Sequence, residues 1–294
     1  MSVPDETLFQ PPAVGVSQYG EARAPERKTV KREHIFDRLS LALRRSLLGL
    51  LLPAILLFLW QLAAVNGWID VNLLPAPTTV LATFWQLVLS GELGADLLAS
   101  ASRWLVGFLI GGSLGLILGS LVGLSRLAER TLDTTVQMLR TIPFLALSPL
   151  LVLWLGLDEP PKITLIALAS FFPIYINTFA GIRNVDRKLI EVGKVYQLTQ
   201  RELLLRVILP AAFSEVLTGV RYALAVAWLA LVLAELLGAS QGLGYLLSEG
   251  REFVRVDIVL CSILVFACVG KLVDLLVRAL ESRLLRWRDT YTGG

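Results

Sequence analysis

Histidine is almost missing from this chain: His34 is the only one in 294 residues, and cysteine and methionine occur twice each. His34 sits in a polar N-terminal stretch, so no histidine base or histidine-bearing metal site can be assembled among the apolar segments. Cys261 and Cys268 lie seven residues apart in one apolar run, about 10 Å along a helix; they are too far apart to bond to each other and read as core packing. Charge is scarce as well. Charged residues make up 17% of the chain against 55% hydrophobic ones, and they are bunched, so that long runs carry none. That pattern points to an integral membrane protein and implies no nucleic-acid partner.

Two catalytic signatures are also lacking. A G-x-x-x-x-G-K-[ST] phosphate loop is absent, because Gly193-Lys194 is followed by Val195 and Gly270-Lys271 by Leu272, so this chain is not expected to hydrolyse ATP. The hydrolase pattern G-x-S-x-G does occur, as Gly111-Gly112-Ser113-Leu114-Gly115. It needs a strand-to-helix elbow and a histidine base, and with neither at hand Ser113 reads as a packing serine. The centres of the apolar runs show no paired ionisable residues of the kind a proton relay or ion-coupled carrier needs.

What is present is a succession of membrane-length segments. Residues 1–45 are polar and proline-containing, without the order of a signal peptide; they read as a largely disordered tail ending in a basic amphipathic helix with Ile35, Phe36, Leu39 and Leu43. Residues 46–69 hold 24 uncharged residues, the first transmembrane helix. Residues 70–103 form a connection in which Val80, Leu81, Phe84, Trp85, Leu87 and Val88 predict a short helix. A core over 104–281 then carries five more spans at about 104–125, 134–157, 163–182, 216–237 and 257–278, with a polar loop at 183–215, before a C-terminal segment at 282–294. Arg221, Glu235 and Lys271, which flank the two shortest apolar runs, are expected to snorkel to the interfaces. Six spans divide the 27 Lys and Arg residues into successive segments of 8, 1, 3, 1, 7, 2 and 5, so alternate segments hold 23 and 4. By the positive-inside rule both termini and the polar loop are cytoplasmic.

Glycines at 107, 111, 115, 119 and 123 make a strict four-residue ridge in the second span, which admits close approach of another helix. Because four residues overshoot a 3.6-residue turn, the ridge winds around its helix and predicts a crossing neighbour rather than a parallel one. Pro143 and Pro149 interrupt the third span, and Pro173, Tyr175, Asn177 and Thr178 place polar or kinking groups in the fourth. Pro143, Ser148, Tyr175, Asn177, Thr178 and Trp228 are therefore candidates for lining a pathway; plain kinks and interhelical hydrogen bonds account for the same pattern, and both readings stay open.

The working surface is the island from Arg183 to Arg221, centred on Asp186 to Pro210, with 7 of the 27 Lys and Arg residues. Leu189, Val192, Gly193 and Tyr196 fall at i, i+3, i+4 and i+7 and share one helix face. Asp186 can cap this helix, Thr199 with Glu202 forms a capping box for a second one, and Pro210 marks a kink or a stop. Two short amphipathic helices in a cytoplasmic loop form a docking element; a solvated loop is the plainer alternative.

These residues resemble the permease subunits of binding-protein-dependent ABC importers of type I. That family's cytoplasmic loop reads E-A-A, three residues, G, nine residues, I-x-L-P. Here Glu191-Val192-Gly193 occupies the first place, Gln197 stands where the glycine is usual, and Val207-Ile208-Leu209-Pro210 ends the pattern at the right spacing. Leu74-Pro75-Ala76-Pro77, Pro173 to Thr178, Gly181 to Asp186 and Gly242 to Leu246 are similar to the sulfonate, taurine, nitrate and bicarbonate branch, and within it most of all to aliphatic sulfonate permeases.

The resemblance implies an all-α, six-helix membrane fold like that of MetI and no catalytic residue. It also implies a coupling loop in which Glu191, Val192, Gly193, Tyr196, Gln197, Arg201, Leu209 and Pro210 meet an ATPase. The expected partners are an ATP-binding subunit dimer, an extracytoplasmic substrate-binding protein, a second permease copy and the bilayer of a bacterial inner membrane. No cofactor or metal is expected on this chain, with ATP and Mg on the ATPase. Another small oxyanion is the alternative cargo, and a non-transporting membrane scaffold is the alternative of a different class.

Overall fold

The computed structural model describes residues 51–284. The expectations for the N-terminal tail, the start of the first span and the last ten residues fall outside that range. The chain divides into two units, residues 1–55 and 56–294. Of the first unit only residues 51–55, the opening of the first described helix, are described. All other described residues belong to the second unit.

Every described element is a helix: α1 (Leu51–Val65), α2 (Pro77–Leu89), α3 (Glu92–Leu124), α4 (Arg126–Arg140), α5 (Phe144–Leu155), α6 (Glu159–Arg183), α7 (Arg187–Val195), α8 (Gln200–Leu236), α9 (Leu243–Glu252) and α10 (Val256–Leu284). Four of these, α3, α6, α8 and α10, are long and apolar enough to cross a membrane. The pair α4 and α5 passes the same test together but is bent by 83°. The third span is thus broken rather than one helix over 134–157. Thr141 to Pro143 separate its halves, and Pro143 has no N–H to carry the helix on. The short helix expected near Val80 is α2, opened by Pro77 in its first turn.

α6 stands between α3 and α8, and bare backbone sets both spacings. A Cβ at Gly115 would lie 2.6 Å from the Phe171 carbonyl oxygen, one at Gly119 2.7 Å from that of Tyr175, and one at Gly123 3.0 Å from Ile182 Cβ. On the other side, a Cβ at Gly219 would meet Asn177 Cβ at 2.6 Å and one at Gly181 would meet the Ala212 carbonyl at 3.0 Å. The ridge therefore does what its four-residue repeat predicts, but the neighbour runs alongside it rather than crossing. Gly107 faces Ile166 and Gly123 faces Ile182, so α3 and α6 are parallel and stay in contact through all five glycines. A repeat longer than 3.6 residues can be followed over that length when the partner's contact positions advance in the same steps, as Ile166, Ser170, Ile174, Thr178 and Ile182 do.

Parallel α3 and α6 force residues 125–158 to return along the length of the bundle, which is the work of the bent pair α4 and α5. α8 then runs antiparallel, and α10 turns back beside it. Trp228 of α8 donates from Nε1 to the Phe266 carbonyl of α10 (3.3 Å), and its ring meets Trp104 and Phe266 edge-on. Cys261 is buried as expected; Cys268, seven residues on, points outward and is not core.

Replacing Gly115 by leucine would drive a side chain into the Phe171 backbone, where neither helix can yield. The expected loss is about 3 kcal/mol or failure to fold, read as a lower melting temperature of the detergent-solubilised protein. Ile117→Ala, on the outward face of the same helix, should leave that temperature nearly unchanged.

Candidate functional site

The polar island folds as one short helix, a tight turn and the beginning of a long helix. Asp186 caps α7, its Oδ1 accepting from the Lys188 backbone N–H at 2.9 Å. The four residues predicted to share a face divide in two. Gly193 is buried, and a Cβ there would lie 2.6 Å from Leu203 Cδ1, so this glycine lets α7 settle on the start of α8. Leu189, Val192 and Tyr196 remain 48%, 52% and 77% exposed.

The turn after α7 locates the departure from the family pattern. The Leu198 N–H donates to the Gly193 carbonyl (3.0 Å) and the Gln197 N–H to that of Lys194 (2.9 Å), the paired bonds of a Schellman motif. The residue after the helix cap must then be left-handed. Gln197 holds that place with φ 54°, which is the physical reason a glycine is usual there.

Thr199 and Glu202 form the predicted capping box: the Glu202 N–H donates to Thr199 Oγ1, and the Thr199 N–H to Glu202 Oε2 (3.0 Å). Pro210 does not end the second helix. Residues Leu204–Ile208 widen into a π-helical turn, and the helix continues through Pro210 to Leu236. A wider turn relieves the clash between the proline ring and the carbonyl four residues back. The expected second short helix is therefore the first part of α8, which begins at Gln200 rather than near 216.

Leu189, Val192, Tyr196, Leu198, Val207 and Pro210 surround an open, largely apolar groove of about 500 Å³. Glu191 and Arg201 lie exposed outside it and make no side-chain hydrogen bond or ion pair among the described residues. Leu209 is part-exposed beside it. This is an amphipathic ledge with an outward apolar face and free charges around it.

The candidate pathway residues sit differently. Tyr175 and Thr178 are buried between helices, and Tyr175 Oη donates to Asp133 Oδ1 at 2.8 Å. Asn177 Nδ2 donates to the Pro173 carbonyl (2.8 Å), and Ser148 Oγ to that of Leu145 (2.7 Å), each a bond back to the preceding turn of its own chain segment. Trp228 lines a groove of about 540 Å³ between α8 and α10, and Pro143 sits in the bend between α4 and α5.

At the end of the bundle away from α7 lies a cluster that the sequence did not disclose. Arg103 bridges Glu159 (Nε to Oε2, 2.6 Å; Nη2 to Oε1, 2.8 Å) and Glu235 (Nη1 to Oε1, 2.8 Å), and also reaches the Gln241 carbonyl. Glu235 accepts from Ser100 Oγ and the Gly244 N–H, and Asp96 from the Gly242 N–H. Glu235 is 1% exposed and Arg103 6%, so neither snorkels, and paired ionisable residues do occur within the helices. Burial without partners would be far costlier. The available signal was a charge beside each of two apolar runs together with Gly242-Leu243-Gly244. A Cβ on Gly244 would meet Glu235 Cβ at 2.5 Å.

Residues 111–286 match the family described as binding-protein-dependent transport system inner membrane component. A Bacillus subtilis (strain 168) chain that bears the name aliphatic sulfonates transport permease protein is 49% identical over 245 residues, 83% of this chain and 89% of that one. Its Escherichia coli (strain K12) namesake is 50% identical over 240 residues, 82% and 91% respectively. A chain of the MetNI methionine ABC transporter aligns with TM-score 0.54 at 17% identity, covering 63% of this chain and 92% of that one, a likeness of fold.

Two substitutions probe the two ends. Gln197→Gly removes the left-handed penalty and is expected to stabilise by about 1 kcal/mol, whereas Gln197→Val should destabilise by at least as much; paired thermal melts decide the sign. Arg103→Leu strands the buried Glu235, while the half-exposed Glu159 keeps Lys162 and solvent; the expected cost is about 3–5 kcal/mol, read as a collapse in folded yield or melting temperature.

Proposed function

The chain belongs to the binding-protein-dependent transport system inner membrane components and is a permease subunit of an ABC importer, a membrane subunit and not the ATPase; we propose that its cargo is an aliphatic sulfonate. The observation that carries the cargo is identity near one half, along most of the chain, to two proteins bearing that name. The family description itself makes transport depend on a binding protein and sets the chain in the inner membrane, where it crosses several times.

In the same reading α7 and the start of α8 receive the ATPase. Leu189, Val192 and Tyr196 supply the apolar contact, Glu191 and Arg201 the charges around it, and Gly193 the seat on Leu203. Because α8 is one helix of 37 residues, about 55 Å long, a push on the α7 turn passes through its π turn at Leu204–Ile208 and then along the rest of the helix. Closure of the ATPase would thus move the bundle between inward- and outward-open states. We place α7 and both termini in the cytoplasm, because 23 of the 27 Lys and Arg residues fall on that side. Two permease copies form the pathway, and ATP with Mg binds only to the ATPase pair.

Reconstitution with the cognate ATPase and binding protein in proteoliposomes tests this. ATP-dependent uptake of a labelled alkanesulfonate is expected, competed by other alkanesulfonates and not by equal taurine or nitrate. Uptake of taurine or nitrate in preference would sink the cargo assignment. Bulky replacement of Glu191 and Gly193 together should leave ATP hydrolysis running without uptake; unaltered uptake counts against the docking role.

A further inference from the structure

α4 starts one residue after α3, and its middle, Glu129–Asp133, opens into a π-helical turn. Two side chains from the last turns of α6 reach that turn. Tyr175, whose ring is wholly buried, donates from Oη to Asp133 Oδ1 at 2.8 Å, and Arg183 Nη2 forms an ion pair with Glu129 Oε2. The order is reversed along the two helices: Glu129 precedes Asp133 while Tyr175 precedes Arg183, so the first turns of α4 lie antiparallel to the end of α6. Three residues past Arg183, Asp186 caps α7.

These contacts differ in kind from the rest of the bundle. α3 and α8 grip α6 through glycine and backbone, where a slip of any size produces collisions. α4 is held by the two polar rungs and by Val136 and Ala128 packed near Val122 and Tyr175. At that seam Arg183 Nε is buried and has no protein partner among the described residues, whereas Thr178, on the same stretch of α6, faces Gly119 of α3. The seam therefore has more hydrogen-bonding capacity than one register uses, which suits a contact with two positions. A π turn in mid-helix is itself a frequent mark of a functional site. α4 leads directly into the 83° bend and α5.

We propose that Tyr175 with Asp133 and Arg183 with Glu129 are positioning contacts for transport, fastening the broken pair α4–α5 to the end of α6 so that displacement of α7 carries α4 with it. The proposal rests on α7 being the surface that receives the ATPase. Tyr175 then acts by holding α4 and not by touching cargo.

The test uses the complete importer in proteoliposomes and reads cargo transported per ATP hydrolysed. Tyr175→Phe removes one oxygen, and this ratio is expected to fall about fivefold to tenfold, as for one hydrogen bond to a charged group that distinguishes two states. Co-purification of the ATPase and the melting temperature should stay close to the parent's. Glu129→Arg alone should lower the ratio similarly, and combining it with Arg183→Glu should restore most of it. An unchanged ratio in both single variants, or no recovery in the double, overturns the proposal. So does a changed apparent affinity for cargo at constant ratio, which would make Tyr175 a pathway residue. Val192→Asp with Tyr196→Asp separates the premise: if this pair leaves ATPase capture and coupling intact, the α7 reading fails. If it uncouples while Tyr175→Phe does not, the seam alone fails.

Discussion

The bundle depends on α6 being held on two sides by unadorned backbone. Where Gly115, Gly119 and Gly219 face Phe171, Tyr175 and Asn177, a single methyl group has no room. Lipid offers no hydrophobic drive for helices to associate, so close van der Waals approach must supply it. That geometry also dictates the topology. Parallel α3 and α6 leave residues 125–158 to run the length of the bundle in the opposite direction, and Pro143 breaks the helix that does so.

The two ends of the helices are finished by opposite means. At one, Arg103, Glu159, Glu235, Asp96 and Ser100 bind one another and the loop at Gln241 to Gly244 in a closed set of hydrogen bonds. Within the low dielectric of a bundle interior, such a network resists any change that leaves one member unpaired. At the other end, α7 turns three large apolar side chains outward, with the exposed charges of Glu191 and Arg201 close by. A mutually satisfied cluster, buried except at Glu159, fixes a structure, whereas an exposed amphipathic helix with one seated glycine leaves room for a partner.

How much of this was legible depended on range. Asp186, Thr199 and Glu202 act within a few residues of themselves, so the helix starts around the island could be read directly. The glycine ridge was legible as a contact surface, but not the direction of its neighbour, because that is set by the register of α6. Pro210 usually stops a helix, and only the π turn just before it, invisible in sequence, lets α8 continue. Arg103 and Glu235 lie 132 residues apart; each alone looks like a charge beside a span, and only the fold makes them a pair. Cys268 was assigned to the core because its run is apolar all round, which cannot tell an inward face from an outward one.

The widened helical turns of the described residues gather at the α7 end. Both π turns, Glu129–Asp133 and Leu204–Ile208, lie there, one shortly after α3 and one at the start of α8. Gln197 holds its left-handed conformation between them. A π turn loosens the ladder of one helix locally without breaking it, so the segment beyond can rotate while the glycine-packed part stays in place. The saturated charges at the far end oppose rotation there. A displacement applied at α7 would then be taken up first at these two turns and only afterwards reach the tight middle of the bundle, the sequence of events that a lever with a firm pivot requires.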